Sequence, residues 1–228
     1  MINIYNLPQE LEVYKLFWYG KTAGIFQFGS AKAKYLCKEI KPKSIYELAV
    51  INALNRPSIL DAGVHIDYIE RKNGIQPVES IHPIIDEIGK PTYGIMPFQE
   101  QVMEACVKFG DFDYIEADAL RKAMKLKSEE LFKQYEEKFL KNATAKSSLQ
   151  VAERVWNLIL KFSNYGFGLS HAVSYSYLGY VCAYLKYHSP LQFFSVNMTH
   201  ESEGSDSDKL TELIRDAQDL NIEILKPD

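Results

Sequence analysis

Ser170, His171 and Tyr175 place a hydroxyl, an imidazole and a phenol close together, directly after Gly166 and Gly168. Upstream, Val151, Val155, Trp156, Leu158, Ile159 and Phe162 recur at helical spacing and predict an amphipathic helix over residues 150 to 163. The two glycines can take positive φ at little steric cost and stop that helix, and Ser170 is a good N-cap for a second helix running to about His188, before Pro190. His171 then falls in a first turn, where free backbone N–H groups and the positive dipole end make a natural anion site. The chemistry indicated is phosphate binding. By residue type alone, the same stretch also reads as helix-turn-helix punctuation carrying a structural histidine.

A second group could meet the same chemistry. Arg121, Lys122 and Lys125 lie on adjacent turns of a helix predicted from about Tyr114, whose inward face is Ala117, Leu120 and Met124. From Arg121 to Lys146 there are eight basic residues against four acidic ones, although the chain as a whole carries a net charge of −4. Such a stretch is either a solvated face or a partner for a polyanion. Arg56 precedes Pro57, which biases its backbone toward the extended region and projects its side chain from a helix end into a loop. There it is either a partner of the helix dipole or a ligand contact.

Positioning these residues requires a packed helical scaffold. The chain has 228 residues, 46% of them hydrophobic and 25% charged, enough for one large domain or two small ones. Cys37, Cys106 and Cys182 are too few and too scattered for a disulfide framework, and no Cys/His cluster has zinc spacing, so a reducing cytoplasm is expected. No charged-then-apolar leader opens the chain, and no run of about 18 apolar residues appears, so neither secretion nor membrane spanning is indicated. Asp111 and Asp113 read as acidic helix caps rather than metal ligands, and His65 and His82 as structural or exposed side chains.

Along the chain, Gln9 to Tyr19 predicts a short helix ending at Gly20. Periodicity leaves Thr22 to Ser30 open between an extended segment and a helix entry. Residues 31 to 55 predict helix with a break at Lys41-Pro42, and Ser44 with Glu47 has capping-box spacing. Residues 61 to 92, broken by glycines and prolines, predict a connecting region with one or two small helices. Gln99, Glu100 and Gln101 open a further helix as a polar first turn; a charged helix runs from Ser128 to about Lys146, and the last helix spans Lys209 to Leu220. The fold class expected is all-α or predominantly α, with short extended segments.

Several ordered motifs together resemble a known family. Tyr165-Gly166-Phe167, then Ser170-His171-Ala172, is similar to the fingers region of family C replicative polymerases, the alpha subunits of bacterial DNA polymerase III. So are Thr22 to Ser30, Ala53-Leu54-Asn55-Arg56-Pro57, Tyr93-Gly94 with Phe98-Gln99-Glu100-Gln101-Val102-Met103, and Ala117-Asp118 with Arg121-Lys122-Ala123-Met124. The resemblance runs from about Thr22 to Asp228. It departs at Gly29, where the family has Glu, at Leu169, where it has a basic residue, and at Lys122, where it has Arg. Arg and Lys are not equivalent at a bidentate phosphate site.

The resemblance implies a multi-helix fingers domain over residues 1 to 200, with residues 201 to 228 as linker, helix and junction to a following domain. It implies contact with primer-template DNA and incoming deoxynucleoside triphosphate during nucleotidyl transfer, alongside the remaining polymerase domains and replisome subunits. Arg121, Lys122, Lys125 and Arg56 would meet phosphates; Ser170 and His171 would line the same pocket, and Tyr175 would bound the nascent base pair. The family holds its catalytic magnesium ions on a palm motif, Pro-Asp-x-Asp-x-Asp, that this sequence does not contain; Asp206-Ser207-Asp208 reads as linker. No catalytic residue and no metal ligand is therefore expected here. The alternative is a noncatalytic helical protein-interaction module derived from the same fold.

Overall fold

The computed structural model describes residues 3–126, 129–163, 166–202 and 207–225, except for the side chains of 124–126, 129–131, 163 and 207. Among these residues the protein is all-α. The helices are α1 (Leu11–Trp18), α2 (Ala31–Ile40), α3 (Ile45–Leu54), α4 (Pro57–Asp61), α5 (Val64–Lys72), α6 (Pro83–Gly89), α7 (Gln99–Gly110), α8 (Tyr114–Leu126), α9 (Glu129–Lys146), α10 (Leu149–Ser163), α11 (Leu169–His188), α12 (Pro190–Ser202) and α13 (Ser207–Asp219). A 3-10 turn, Lys90–Thr92, follows α6. The extended pairing among the described residues is a single parallel bridge between Phe98 and Phe167.

The chain divides into two compact units, one of residues 1–55 with 172–228 and the other of residues 56–171. In the first, α2 packs on α1 and α3, and α13 packs on α12. Helix α3 buries Leu48, Ala49, Val50, Ile51, Ala53 and Leu54, too many positions for one stripe, and is a core helix rather than an amphipathic one. Its start follows from the capping pair: the Glu47 N–H donates to Ser44 Oγ at 3.2 Å while the Glu47 carboxylate accepts from the Lys43 N–H at 2.7 Å. Helix α13 closes on Ala23, Phe193 and Phe194 through Leu213 and Ala217.

The Thr22–Ser30 segment, undecided by periodicity, is a series of turns. Gly24 and Gln27 both have positive φ, at 74° and 68°, which no strand or helix accommodates. Thr22 Oγ1 donates to the Phe28 carbonyl at 2.6 Å and closes the segment on itself.

The second unit is built around α7, which packs on α6, α8, α9 and α10. An aromatic series fills its centre: Phe139 lies 6.1 Å from Phe109, 6.2 Å from Phe112 and 5.1 Å from Trp156, centroid to centroid. Of the predicted stripe of α10, Val155, Trp156, Ile159 and Phe162 are buried, while Val151 and Leu158 are only partly so. Asp111 takes a left-handed conformation at the C-cap of α7. Asp113 accepts from the Glu116 N–H at 2.8 Å, and Glu116 accepts from the Asp113 N–H at 3.0 Å. Both aspartates are helix caps, as their spacing predicts.

Candidate functional site

The motif beginning at Tyr93 and the motif ending at His171 are two halves of one structure in the second unit. Tyr93 and Gly94 take positive φ, 53° and 77°, and turn the chain so that Ile95, Met96 and Phe98 bury ahead of α7. The Gln101 side chain is buried too, donating to the Ile88 carbonyl at 3.0 Å and to Thr92 Oγ1 at 2.8 Å. It ties α7 to the end of α6, as a polar first turn beneath a core helix should.

Against this start of α7 lies Gly166-Phe167-Gly168. The Phe167 N–H donates to the Pro97 carbonyl at 3.0 Å, and the Gln99 N–H returns a bond to the Phe167 carbonyl at 3.0 Å. A Cβ at Gly166 would stand 3.1 Å from Gln99 Cα, and one at Gly168 would stand 3.2 Å from Gln99 Nε2. Gly168 does not take the positive φ its type allows, and Gly166 serves to let the two backbones approach.

Helix α11 begins at Leu169, one residue ahead of the expected Ser170 cap. Its Leu169 N–H donates to the Glu100 carboxylate at 2.9 Å. A carboxylate from the first turn of α7 thus occupies part of the positive helix end at which an external anion was expected, and stabilises it for the same electrostatic reason. Ser170 and His171 follow in this first turn, both exposed.

Arg56 joins them from the other side of the sequence. Its φ of −130° and ψ of 140° are the extended values that Pro57 demands, and Pro57 opens α4. The half-buried guanidinium stands 5.0 Å from the centroid of the Phe167 ring, and burial pulls it down from its ordinary arginine pKa. Phe167 in turn meets the His171 ring edge-to-face at 5.4 Å. Arg56 and His171 are therefore brought together through Phe167, a residue to which the sequence assigned no role. The available signal was an aromatic side chain between two glycines, where backbone contact on one side leaves a partly buried ring free to meet other side chains.

The α8 cations Arg121 and Lys122, in the same unit, share one carboxylate. Arg121 donates to Asp118 Oδ1 from Nε at 2.9 Å and from Nη2 at 2.6 Å, and Lys122 Nζ lies 2.7 Å from Asp118 Oδ2. Bonds from Lys122 and Arg121 hold the Asp118 carboxyl below the usual carboxylate range. The side chain of Lys125 lies outside the described residues. Tyr175 belongs to the first unit, where its ring is 5.3 Å from that of Phe26. Gly29, also in the first unit, has open space where a side chain would extend: its Cβ would find only the Thr22 carbonyl, at 3.9 Å. Packing does not forbid the family's longer residue there. No three His, Cys, Asp or Glu side chains among the described residues come together as a metal site.

Residues 1–147 match the family described as bacterial DNA polymerase III alpha subunit finger domain. The chain belongs to that family. Over its whole length it is 40% identical to DNA polymerase III subunit alpha of Aquifex aeolicus, and over 99% of its length 36% identical to that of Borreliella burgdorferi. It is 34% identical over 99% of its length to the subunit of Halalkalibacterium halodurans. The chain spans 20%, 19% and 20% of these relatives, about a fifth of each. The Ser170-His171 stretch lies beyond the family match but within these alignments, which cover the chain almost completely. No helix among the described residues is long and apolar enough to cross a membrane.

Proposed function

We propose that this chain is the fingers portion of a DNA-directed DNA polymerase, working in the cytoplasm with primer-template DNA, deoxynucleoside triphosphates and the other polymerase domains and replisome subunits. The observation that carries this reading beyond family membership is the docking of Gly166–Gly168 on the start of α7, beside which Arg56 meets Phe167 and Phe167 meets His171, joining two stretches far apart in sequence. A half-buried guanidinium beside an exposed imidazole and hydroxyl is suited to hold phosphate oxygens, since charge-assisted bonds strengthen where solvent is partly excluded. In this reading Arg121, Lys122 and Lys125 supply further phosphate contacts, Ser170 and His171 line the pocket, and Tyr175 offers a ring to a base.

Two-metal nucleotidyl transfer also needs carboxylates that hold magnesium against the reacting oxygens. The described residues form no such set, so no chemical step is assigned to them. The metals would be held by a palm domain, and the 228-residue chain by itself should give no primer extension.

A double-mutant cycle tests the reading. Deoxynucleoside triphosphate affinity is measured for the chain, for Arg121→Ala, for His171→Ala and for both together. If one triphosphate bridges the two residues, their effects are coupled by about 0.5 kcal/mol or more. Binding of DNA should also weaken steeply between about 50 and 200 mM salt, with a shallower slope once Arg121 and Lys122 are neutralised. Additive or absent effects on triphosphate would remove the shared site, and salt-insensitive binding would favour the protein-interaction module instead.

A further inference from the structure

The turn around Gln27 splits two neighbouring phenylalanines between core and surface. Phe28 is fully buried, packed edge-on against Phe17 at 5.0 Å. It also sits so close to α11 that a Cβ at Gly179 would come within 2.6 Å of Phe28 Cε2 and 3.0 Å of the Phe26 carbonyl. Phe26 stays at the surface, 38% exposed, with its ring 5.3 Å from that of Tyr175, which is 37% exposed, at an interplanar angle of 39°. Gln27 between them has a φ of 68°, a conformation that a non-glycine residue adopts only when its surroundings impose it.

The restraints on this turn are buried. Ala23 donates its N–H to Asp216 at 3.1 Å and accepts from Lys186 Nζ at 2.8 Å, while Thr22 closes on the Phe28 carbonyl. The result is two aromatic rings fixed side by side at the surface by a loop that cannot easily withdraw them. Beside Phe26 opens a cavity of about 780 Å³, lined by the amide residues Gln27, Asn55 and Asn197 and by acidic Glu201, Asp208 and Glu212 against a single basic residue, Lys209. Amides pair with base edges and carboxylates accept from exocyclic amino groups, whereas the carboxylates repel phosphate.

We propose that Phe26 and Tyr175 form a stacking platform for a nucleobase of single-stranded DNA, with the adjoining cavity reading the edge of that base. The proposal rests on the fingers reading above, and it adds Phe26, Gln27, Asn55 and Asn197 as base-facing residues distinct from the phosphate-facing cations. Any base has a π-face to stack, so binding tolerates all sequences. The mainly acidic wall adds a preference for adenine, cytosine and guanine, which carry exocyclic amino groups, over thymine.

The test uses the 228-residue chain and short single-stranded oligonucleotides carrying one 2-aminopurine, whose fluorescence is quenched by stacking. Binding should quench the probe. Phe26→Ala should remove most of the quenching and weaken binding about 5- to 150-fold, the range for losing one base–aromatic stack. Phe26→Trp should restore both. Because Phe26 is 38% exposed, its truncation should leave the helical signal and the thermal midpoint nearly unchanged, which separates a binding role from a structural one. Unquenched binding by the parent chain, or equal affinity of Phe26→Ala, overturns the platform while leaving the fingers reading intact. If no oligonucleotide binds even at low salt, the platform falls, and triphosphate affinity measured separately decides whether the fingers reading falls with it.

Discussion

Asp216→Ala should destabilise the first unit strongly at neutral pH and far less at alkaline pH. The Lys186 side chain is fully buried, and its ammonium meets Asp216 Oδ2 at 2.7 Å and the Ala23 carbonyl at 2.8 Å, with the Phe193 and Phe194 rings 5.6 and 5.0 Å away. Removing one partner of a buried pair strands the other charge, at a cost of about 3 to 5 kcal/mol. An independent ceiling exists, because the lysine can shed its proton instead. From an ordinary value of 10.5, neutralisation costs about 5 kcal/mol at about pH 7 but only about 1.4 kcal/mol at about pH 9.5, at 1.36 kcal/mol per pKa unit.

The sign of the pH dependence follows from the direction of the shift. Burial lowers the Lys186 pKa, Asp216 raises it by charge and hydrogen bond, and Lys34 and Lys21 lower it slightly. With the folded value below the unfolded one, the unfolded chain binds more protons between the two, and stability from this group rises with pH through that window. Deleting Asp216 lowers the folded value further and widens the window. Urea unfolding of the parent and Asp216→Ala proteins at about pH 7 and about pH 9.5 measures the difference. The deficit should shrink by at least half at the higher pH, and the apolar double variant Lys186→Met with Asp216→Leu should recover most of the lost stability at neutral pH. A deficit below about 1 kcal/mol, or one equal at both pH values, would show that no stranded charge is involved.

Glu100→Ala removes the acceptor of the Leu169 N–H and should cost about 1 kcal/mol, the usual value of a helix N-cap, measured by chemical denaturation; no loss would mean that water replaces the carboxylate fully. Asp118→Asn should instead tighten binding to single-stranded DNA at low salt and steepen its salt dependence, because the carboxylate neutralises Arg121 and Lys122 through solvent-screened ion pairs on one helix. Weaker binding by that variant would show that Asp118 orients the cations rather than masking them.

Features encoded within one turn of helix were legible in the sequence. The Ser44–Glu47 pair and the Asp113 cap mark helix starts, and Val155, Trp156, Ile159 and Phe162 give a face, because each depends only on residues within about one turn. The contacts that assemble the site depend on long separations. Nothing near Gly166 announces that Gln99 will press against it, and nothing near Leu169 announces Glu100. Lys186, which reads as a charge interrupting an apolar run, is buried because Asp216, 30 positions on, satisfies it. Family resemblance pointed to the right motifs; it did not say that several of their residues act by packing motif against motif.

That distinction bears on where a phosphate can bind. With Glu100 at the N-terminus of α11, a phosphate oxygen approaching the Leu169 N–H would meet a carboxylate already in place. Like charges about 4 Å apart repel by about 4 kcal/mol at an effective dielectric of about 20, more than a single hydrogen bond to a charged group returns. The helix end alone is therefore a poor phosphate site in this protein, although its position after a glycine-rich turn suggests one. Arg56 has a different character: its guanidinium is half-buried and set against the Phe167 ring, which also meets His171. If a triphosphate binds this unit, Arg56 rather than the α11 backbone should anchor it, and Arg56→Ala should cost more affinity than any substitution at Ser170.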